Sequence, residues 1–332
     1  MAHDPQPLKH LLPGWYATVM GLCGLSLAWH RATPLMGPWA HRVAWLAGRL
    51  AAAVFAVLAV ATLLRGWRHP QAWAEDPRHP VRHTFIAALP VAILLLATVA
   101  LALGAPTTSV APGWWVGSLA QLGVTVWVLA RWFKPPKAGG LQWASATPAL
   151  FIPIVGNVVA PLAGVPLGHA EWSAAQFGIG VLFWPVVLVL IVVRLALQGP
   201  WPARMMPATF IIVAPPAVIG LSALQLGAPV LLAWMAWGVA LFCLLWAATL
   251  LVQIAQLPFG LPHWGMSFPL AALTALTLRL AEPGTPMAAL GLALLAATSL
   301  VVLALMVGTW HGLRDGSLLA PEPVAAITPV AG

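Results

Sequence analysis

Ten apolar runs, each close to the length that crosses a lipid bilayer, divide this chain almost from end to end. They are Leu12–Trp29, Val43–Leu64, Thr84–Leu103, Trp114–Ala130, Pro148–Val165, Ala174–Val193, Thr209–Leu226, Val230–Ile254, Trp264–Leu280 and Met287–Val307. About 20 apolar residues span the hydrocarbon core as a helix. In lipid a helix satisfies its own backbone hydrogen bonds, whereas an open strand cannot. The runs therefore predict an all-α integral membrane protein with ten transmembrane helices. Only 7% of the 332 residues are charged, against about 25% in a soluble domain. Connections between runs are short, so residues 1–312 read as one membrane domain. Residues 313–332 read as a disordered cytoplasmic tail. The opening "MAHDPQPLKH" has neither the basic region nor the small-residue cleavage site of a secretory signal. The first run is taken as a permanent span.

Lysine and arginine in short loops stay on the cytoplasmic side. With the N-terminus inside, that side holds Lys9; Arg65, Arg68, Arg78 and Arg82; Arg131, Lys134 and Lys137; Arg194 and Arg204; and Arg314, eleven of the fifteen. Arg31 and Arg42 fall outside, and Arg49 and Arg279 lie within or at the ends of runs. Both termini are expected in the cytoplasm. The net charge of +8 follows from this bias and calls for no nucleic acid. Tryptophans near run ends, among them Trp15, Trp29, Trp114, Trp172, Trp201, Trp264 and Trp310, fit an interfacial belt. Cys23 and Cys243 lie in apolar runs and read as small buried hydrophobes rather than a disulfide or metal site.

The runs alternate in character. The third reads "TFIAALPVAILLL", the fifth "TPALFIPIVGNVVAPL", the seventh "TFIIVAPPAVIGLSAL" and the ninth "SFPLAALTAL". Each has an early Thr or Ser, a Phe, and an interior proline: Pro90, Pro153, Pro215 with Pro216, and Pro269. The first run is softened by Gly21 and Gly24 instead. Among the even runs only the sixth has such a proline, Pro185. The unit is two helices, repeated about five times in one direction, which implies an axis along the membrane normal. Proline breaks i→i−4 bonding, and a freed carbonyl facing lipid costs several kcal/mol. The broken helices are expected to surround a central lumen, with the smooth ones against lipid.

Polar residues on the odd runs are Thr18, Ser26, Thr84, Thr98, Asn157, Ser222, Gln225, Ser267, Thr274 and Thr277. No Asp, Glu or Lys is among them. Intramembrane carboxylates mark proton relays and cation paths; a neutral lining in a cationic chain suits an anion. Each proline also begins a fresh half-helix, whose N-terminus attracts negative charge. Thr18, Ser267 and Thr274 are candidates for touching the anion. Pro153 and Gly156 open the fifth run, where Asn157, the one asparagine of the chain, has two possible tasks. It could offer its donors to the lumen, or hydrogen-bond across helices. His83 and His263, at the starts of the third and ninth runs, read as interfacial. Arg49 reads as snorkelling to the outer interface.

Four stretches together resemble the tellurite-resistance/dicarboxylate transporter family. They are "PGWYATVMGLCGLSLAW", "TPALFIPIVGNVVAPLAG", "TFIIVAPPAVIGLSAL" and "HWGMSFPLAALTAL". That family includes the bacterial tellurite-resistance membrane protein, fungal malate and sulfite transporters, and plant slow-type anion channels. The resemblance implies five helical hairpins in a pseudo-fivefold ring around a central pore, odd helices inward, and a homotrimer with one pore per subunit. It implies a bacterial inner-membrane location and passage of small anions such as chloride, nitrate, sulfite or C4-dicarboxylates. It also implies that a phenylalanine of the ninth helix, here Phe268, plugs the pore; a hydrophobic constriction can close a pore by dewetting. The alternative is a proton-coupled dicarboxylate or sulfite carrier, which the lack of titratable groups at the centres of the odd runs disfavours. A transferase would need acidic or His/Asp constellations, and the scattered Glu75, Asp76 and Glu282 form none. No enzyme activity, cofactor or metal is expected.

Overall fold

The computed structural model describes residues 6–135 and 138–321; Asp4, Lys137, Glu322 and the remaining tail lie outside them. The described residues form helices and turns with no strand. The main helices are α1 (Tyr16–Arg31), α2 (Pro38–Arg68), α3 (Ala88–Ala102), α4 (Thr107–Trp132), α5 (Phe151–Val155), α6 (Ala160–Gly164), α7 (Ala170–Gln198), α8 (Ala214–Gln225), α9 (Val230–Ala248), α10 (Ser267–Leu280) and α11 (Pro286–Arg314). Their ends follow local chemistry. Proline opens α2 and α11, where its missing N–H costs nothing, and the Thr285 hydroxyl accepts from the Ala288 N–H at the start of α11. Gly199 ends α7 at φ +70, a conformation that a side chain would strain.

Among the described residues, seven helical stretches are long and apolar enough to cross a membrane: Pro38–Arg68, Arg82–Ala102, Thr107–Trp132, Ala170–Gln198, Ala203–Gln225, Val230–Ala248 and Pro286–Arg314. The other three of the ten expected runs are the first, fifth and ninth. All three are odd, and part of each is wound as 3-10 helix. Pro13–Trp15 leads into α1, Leu261–Met266 leads into α10, and the fifth run passes through Pro148–Leu150, α5, Gly156–Val159 and α6. The seventh run has the longest 3-10 segment, Ala203–Val213, ahead of α8. A 3-10 helix rises about 2.0 Å per residue against about 1.5 Å in an α-helix, so these runs cover more depth with fewer residues.

The prolines do not kink the middle of a helix. Pro90, Pro153, Pro216 and Pro269 are each the third residue of α3, α5, α8 and α10. First-turn N–H groups have no intrahelical acceptor in any case, so proline there removes no α-helical bond and marks where tight winding ends. The even helices α4 and α7 run unbroken through Pro112 and Pro185.

Contacts between helices form a closed circuit. α1 packs on α3 and α10, α3 on α6, α6 on α8, and α8 on α10. Outside it, α2 packs on α1, α4 on α3, α7 on α5 and α6, α9 on α8, and α11 on α10. Burial separates the two sets: the apolar windows of Arg82–Ala102 and Ala203–Gln225 are 56% and 83% buried, while no outer helix exceeds 33%. Val57, Leu63, Leu182, Phe242 and Leu300 on the outer helices are more than half exposed. Apolar area left in water costs about 25 cal/mol per Å², so this surface belongs in lipid and the protein is a multi-pass membrane protein. α1 approaches α10 through glycine: a Cβ on Gly21 would lie 2.2 Å from Ser267 Oγ, and one on Gly24 2.8 Å from Ala271 Cβ. Such close approach is the usual use of small residues between membrane helices. Cys23 and Cys243 are buried and unpaired. Arg49 stacks its guanidinium 3.7 Å from the Trp45 ring centroid. The turn Ser317–Leu319 packs against Pro7–His10, so both described chain ends lie on one face.

Candidate functional site

The circuit of inner helices encloses a cavity of about 1700 Å³ that reaches the face carrying the chain ends. Its wall includes Ala17 and Met20 of α1, Val91 of α3, Ile152 and Val155 of α5, Gly156 and Val159, Pro215 and Val218 of α8, and Phe268 and Pro269 of α10. A second, small cavity of about 50 Å³ lies beyond it, against Leu95, Thr98, Gln225 and Arg31. Among the described residues, Val218 and Phe268 border both. Phe268 is 9% exposed, and its ring lies close enough to α1 that a Cβ on Gly24 would stand 3.2 Å from its Cδ2. It is the second residue of α10. The second residues of α1, α5 and α8, which are Ala17, Ile152 and Pro215, also line the large cavity. Four of the five inner units thus turn the second residue of their helix to the cavity, whereas the third run reaches it through Val91, and the ninth run supplies an aromatic ring there.

The charge of the wall is one-sided. Arg82, Arg194, Arg204, His10, His79 and His263 line it. No Asp or Glu does among the described residues. Burial, then the nearby charges of Lys9, Arg65 and Arg82, holds His10 below the ordinary histidine pKa, so it is neutral at pH 7 and gains charge only on acidification. The one buried acid on this side, Asp76, is paired with Arg65 and lies 3.8 Å from Arg82.

The residues singled out in the sequence divide in two. Phe268, Gly156, Pro215 and Pro269 line the cavity; Pro90, Pro153 and Pro216 are buried and do not line it. The hydroxyls point elsewhere. Thr18 donates to the Trp15 carbonyl (2.7 Å), Ser267 to that of Trp264 (2.7 Å), and Thr274 to that of Leu270 (2.8 Å) beside Thr298 (2.9 Å). None of the three lines either cavity. Asn157 is fully buried and faces the outer helices. Its Nδ2 donates to Thr125 Oγ1 (2.7 Å) and to the Ile154 carbonyl (2.9 Å), and its Oδ1 accepts from Gln176 Nε2 (3.2 Å).

These bonds belong to a network that sequence reasoning missed. Gln121 Nε2 donates to the Pro153 carbonyl at 2.8 Å, and Thr125 Oγ1 lies 2.5 Å from the same oxygen. Ser118 donates to Gln176 Oε1 (2.7 Å) and accepts from Trp172 Nε1 (2.7 Å). Carbonyls released where α5 gives way to 3-10 winding are therefore met by side chains of α4, and α7 braces the same amide. Gly156 leaves room for this, because a Cβ there would lie 2.4 Å from Gln121 Nε2. The available signal was the stripe Ser118, Gln121, Thr125 on one face of an otherwise apolar run.

The chain matches the family described as voltage-dependent anion channel over residues 10–310. It is 26% identical over 268 residues to the S-type anion channel SLAH2 of Arabidopsis thaliana, covering 78% of this chain and 50% of that one. It is 25% identical over 265 residues to a tellurite resistance protein TehA homolog of Haemophilus influenzae, covering 78% of each. It is 24% identical over 298 residues to an uncharacterized transporter of Methanocaldococcus jannaschii, covering 81% of this chain and 83% of that one. The chain therefore spans half the length of the plant channel and about four fifths of the two microbial relatives.

Proposed function

Because the chain belongs to the voltage-dependent anion channel family, whose members are anion channels and transporters rather than enzymes, we propose that it is a channel or uniporter for small anions with Phe268 as its gate. The observation that carries this reading is the pair of cavities meeting at Phe268, the larger with a cationic, carboxylate-free wall. Cations entering such a mouth meet like charge, while anions are concentrated there. The middle of the path is apolar, and an aromatic ring in an apolar neck closes a pore by excluding water. Chloride, nitrate, sulfite and C4-dicarboxylates all fit the class.

The reading extends to architecture. The ten runs act as ten spans in five hairpins around the pore within residues 1–312, as the closed circuit of inner helices supports. The basic face with both chain ends lies in the cytoplasm of a bacterium, its inner membrane holding the protein as a homotrimer. The test is bilayer recording of the reconstituted full chain and of Phe268→Ala. A near-silent native protein and an anion-selective current in the variant are expected. A cation-selective current, or equal silence from both with no anion uptake into vesicles, sinks the proposal.

A further inference from the structure

Among the described residues two arginines are buried on the cationic side, and only Arg65 has a carboxylate within salt-bridge distance. Arg65, 2% exposed, is paired with Asp76 and donates to the carbonyls of Lys9 and Ala72. Arg194, 6% exposed, has no carboxylate within salt-bridge distance among the described residues. One terminal nitrogen donates to the Gly199 carbonyl, its Cζ lies 5.0 Å from the centroid of the Trp201 ring, and its Nε is buried with no partner. A buried charge without compensation destabilises the fold. Arg194 also lines the large cavity.

A second orphan borders the same cavity. The repeat places a hydroxyl near the start of each of the third, fifth, seventh and ninth runs. Thr84 donates to the Val81 carbonyl, Ser267 to that of Trp264, and Thr209 accepts from Trp201 Nε1. Thr147, the fifth-run counterpart, is 4% exposed, lines the cavity and has an unpartnered Oγ1. Its neighbours lead toward Arg194: Trp143–Ser145 packs on α7, the helix that carries Arg194, and Pro148–Leu150 packs on Ala203–Val213, whose Thr209 accepts from Trp201, the ring against Arg194.

We infer that Arg194 and Thr147 form a binding site for the permeant anion in the wall of the large cavity, ahead of Phe268, and that it takes a small oxyanion such as nitrate. The inference rests on the anion-passage reading above. A guanidinium edge offers parallel N–H donors that match a planar oxyanion better than a spherical halide, and the hydroxyl adds a third donor. The Trp201 ring, 5.0 Å from Cζ, packs against the guanidinium.

The test uses the full chain in detergent with sodium nitrate as probe and sodium chloride as control, read as nitrate-dependent shift of the thermal midpoint. Nitrate should raise the native midpoint more than chloride does, because a ligand bound only to the folded state stabilises it. Arg194→Gln should lose about tenfold in nitrate affinity, the worth of one charge-assisted hydrogen bond. Arg194→Lys, which keeps the charge without the fork, should lose the preference for nitrate over chloride. Thr147→Val should match or exceed the native midpoint without nitrate, since it deletes an unsatisfied buried hydroxyl, yet weaken the nitrate shift. That last pair of results is one a purely structural role would not give. An equal response to nitrate and chloride in the native protein, or an unchanged nitrate shift in Arg194→Lys and Thr147→Val, overturns the site. Nitrate binding lost in the variants of a protein that passes no anion under any condition keeps the site and removes the channel.

Discussion

The fifth and ninth runs both change winding at a Phe–Pro region, yet the two breaks are finished in opposite ways. At the fifth, Gln121, Thr125 and Gln176 reach in from α4 and α7 and occupy Asn157 and the Pro153 carbonyl. At the ninth, Ser267 bonds back to its own chain at Trp264, and the next residue, Phe268, faces the cavity. One break is braced from the lipid side by polar chemistry; the other presents a bare ring to the path. Polar groups on the inner helices thus hold the backbone, while the cavity wall is apolar around Phe268 and cationic toward the face with the described chain ends.

The contrast can be broken most forcefully at its bare end. Phe268→Ala should raise anion conductance at least about tenfold, which requires only ~1.4 kcal/mol off the barrier, even though loss of a buried ring also costs the fold stability; single-channel recording checks the gain. At the braced end the pattern should invert. Asn157→Leu, which strands Thr125 and Gln176, should destabilise by roughly 1–2 kcal/mol in a detergent unfolding titration while anion-over-cation selectivity persists. A selectivity change there would put Asn157 in the path after all. Gly24→Ala tests the seam between the two roles. Its methyl would meet Ala271 Cβ at 2.8 Å and the Phe268 ring at 3.2 Å, so overpacking should cost about 1–3 kcal/mol. Adding Phe268→Ala should recover part of that loss, and strict additivity of the two changes would mean that they do not touch.

The smallest effect concerns pH. His10 titrates below its ordinary value of 6.5 because of burial and then Lys9. The stability linked to its neutral form is complete above the unfolded pKa and declines as pH falls below about 6.5. Its charge at the mouth appears over that same acid range, so anion flux should rise modestly on acidification, by about twofold if steering is the cause. His10→Gln should blunt that rise in a pH series.

Much of this was legible in the chain. Membrane insertion followed from run length, and the odd–even difference in burial followed from where Pro and Gly fall. Phe268 could be singled out only through the family resemblance, because a Phe beside a proline usually packs into a core; its place in the cavity wall is what the structure adds. What the sequence did not disclose was direction. Thr18, Ser267 and Thr274 look available for an anion, but a hydroxyl on a helix can bond to a carbonyl three or four residues back, and each does so. Nor did the sequence say that proline would sit in the first turn rather than mid-helix, since the 3-10 lead-ins have no composition of their own. Arg194 was read as one more basic loop residue, because charge patterning along the chain does not reveal which arginine has an acid beside it.

The circuit of inner helices closes only where α1 meets α10, with Gly21 against Ser267 and Gly24 against Ala271. Partners in that contact are separated by most of the chain. During synthesis, the first run must wait for the ninth before it acquires its final neighbour. Until then, the glycine face of α1 and the back of the growing sheath stand open to lipid or to whatever assists insertion. A chain stopped short of residue 267 lacks α10, so the circuit stays open and the cavity wall loses Phe268 and Pro269 outright rather than by degrees.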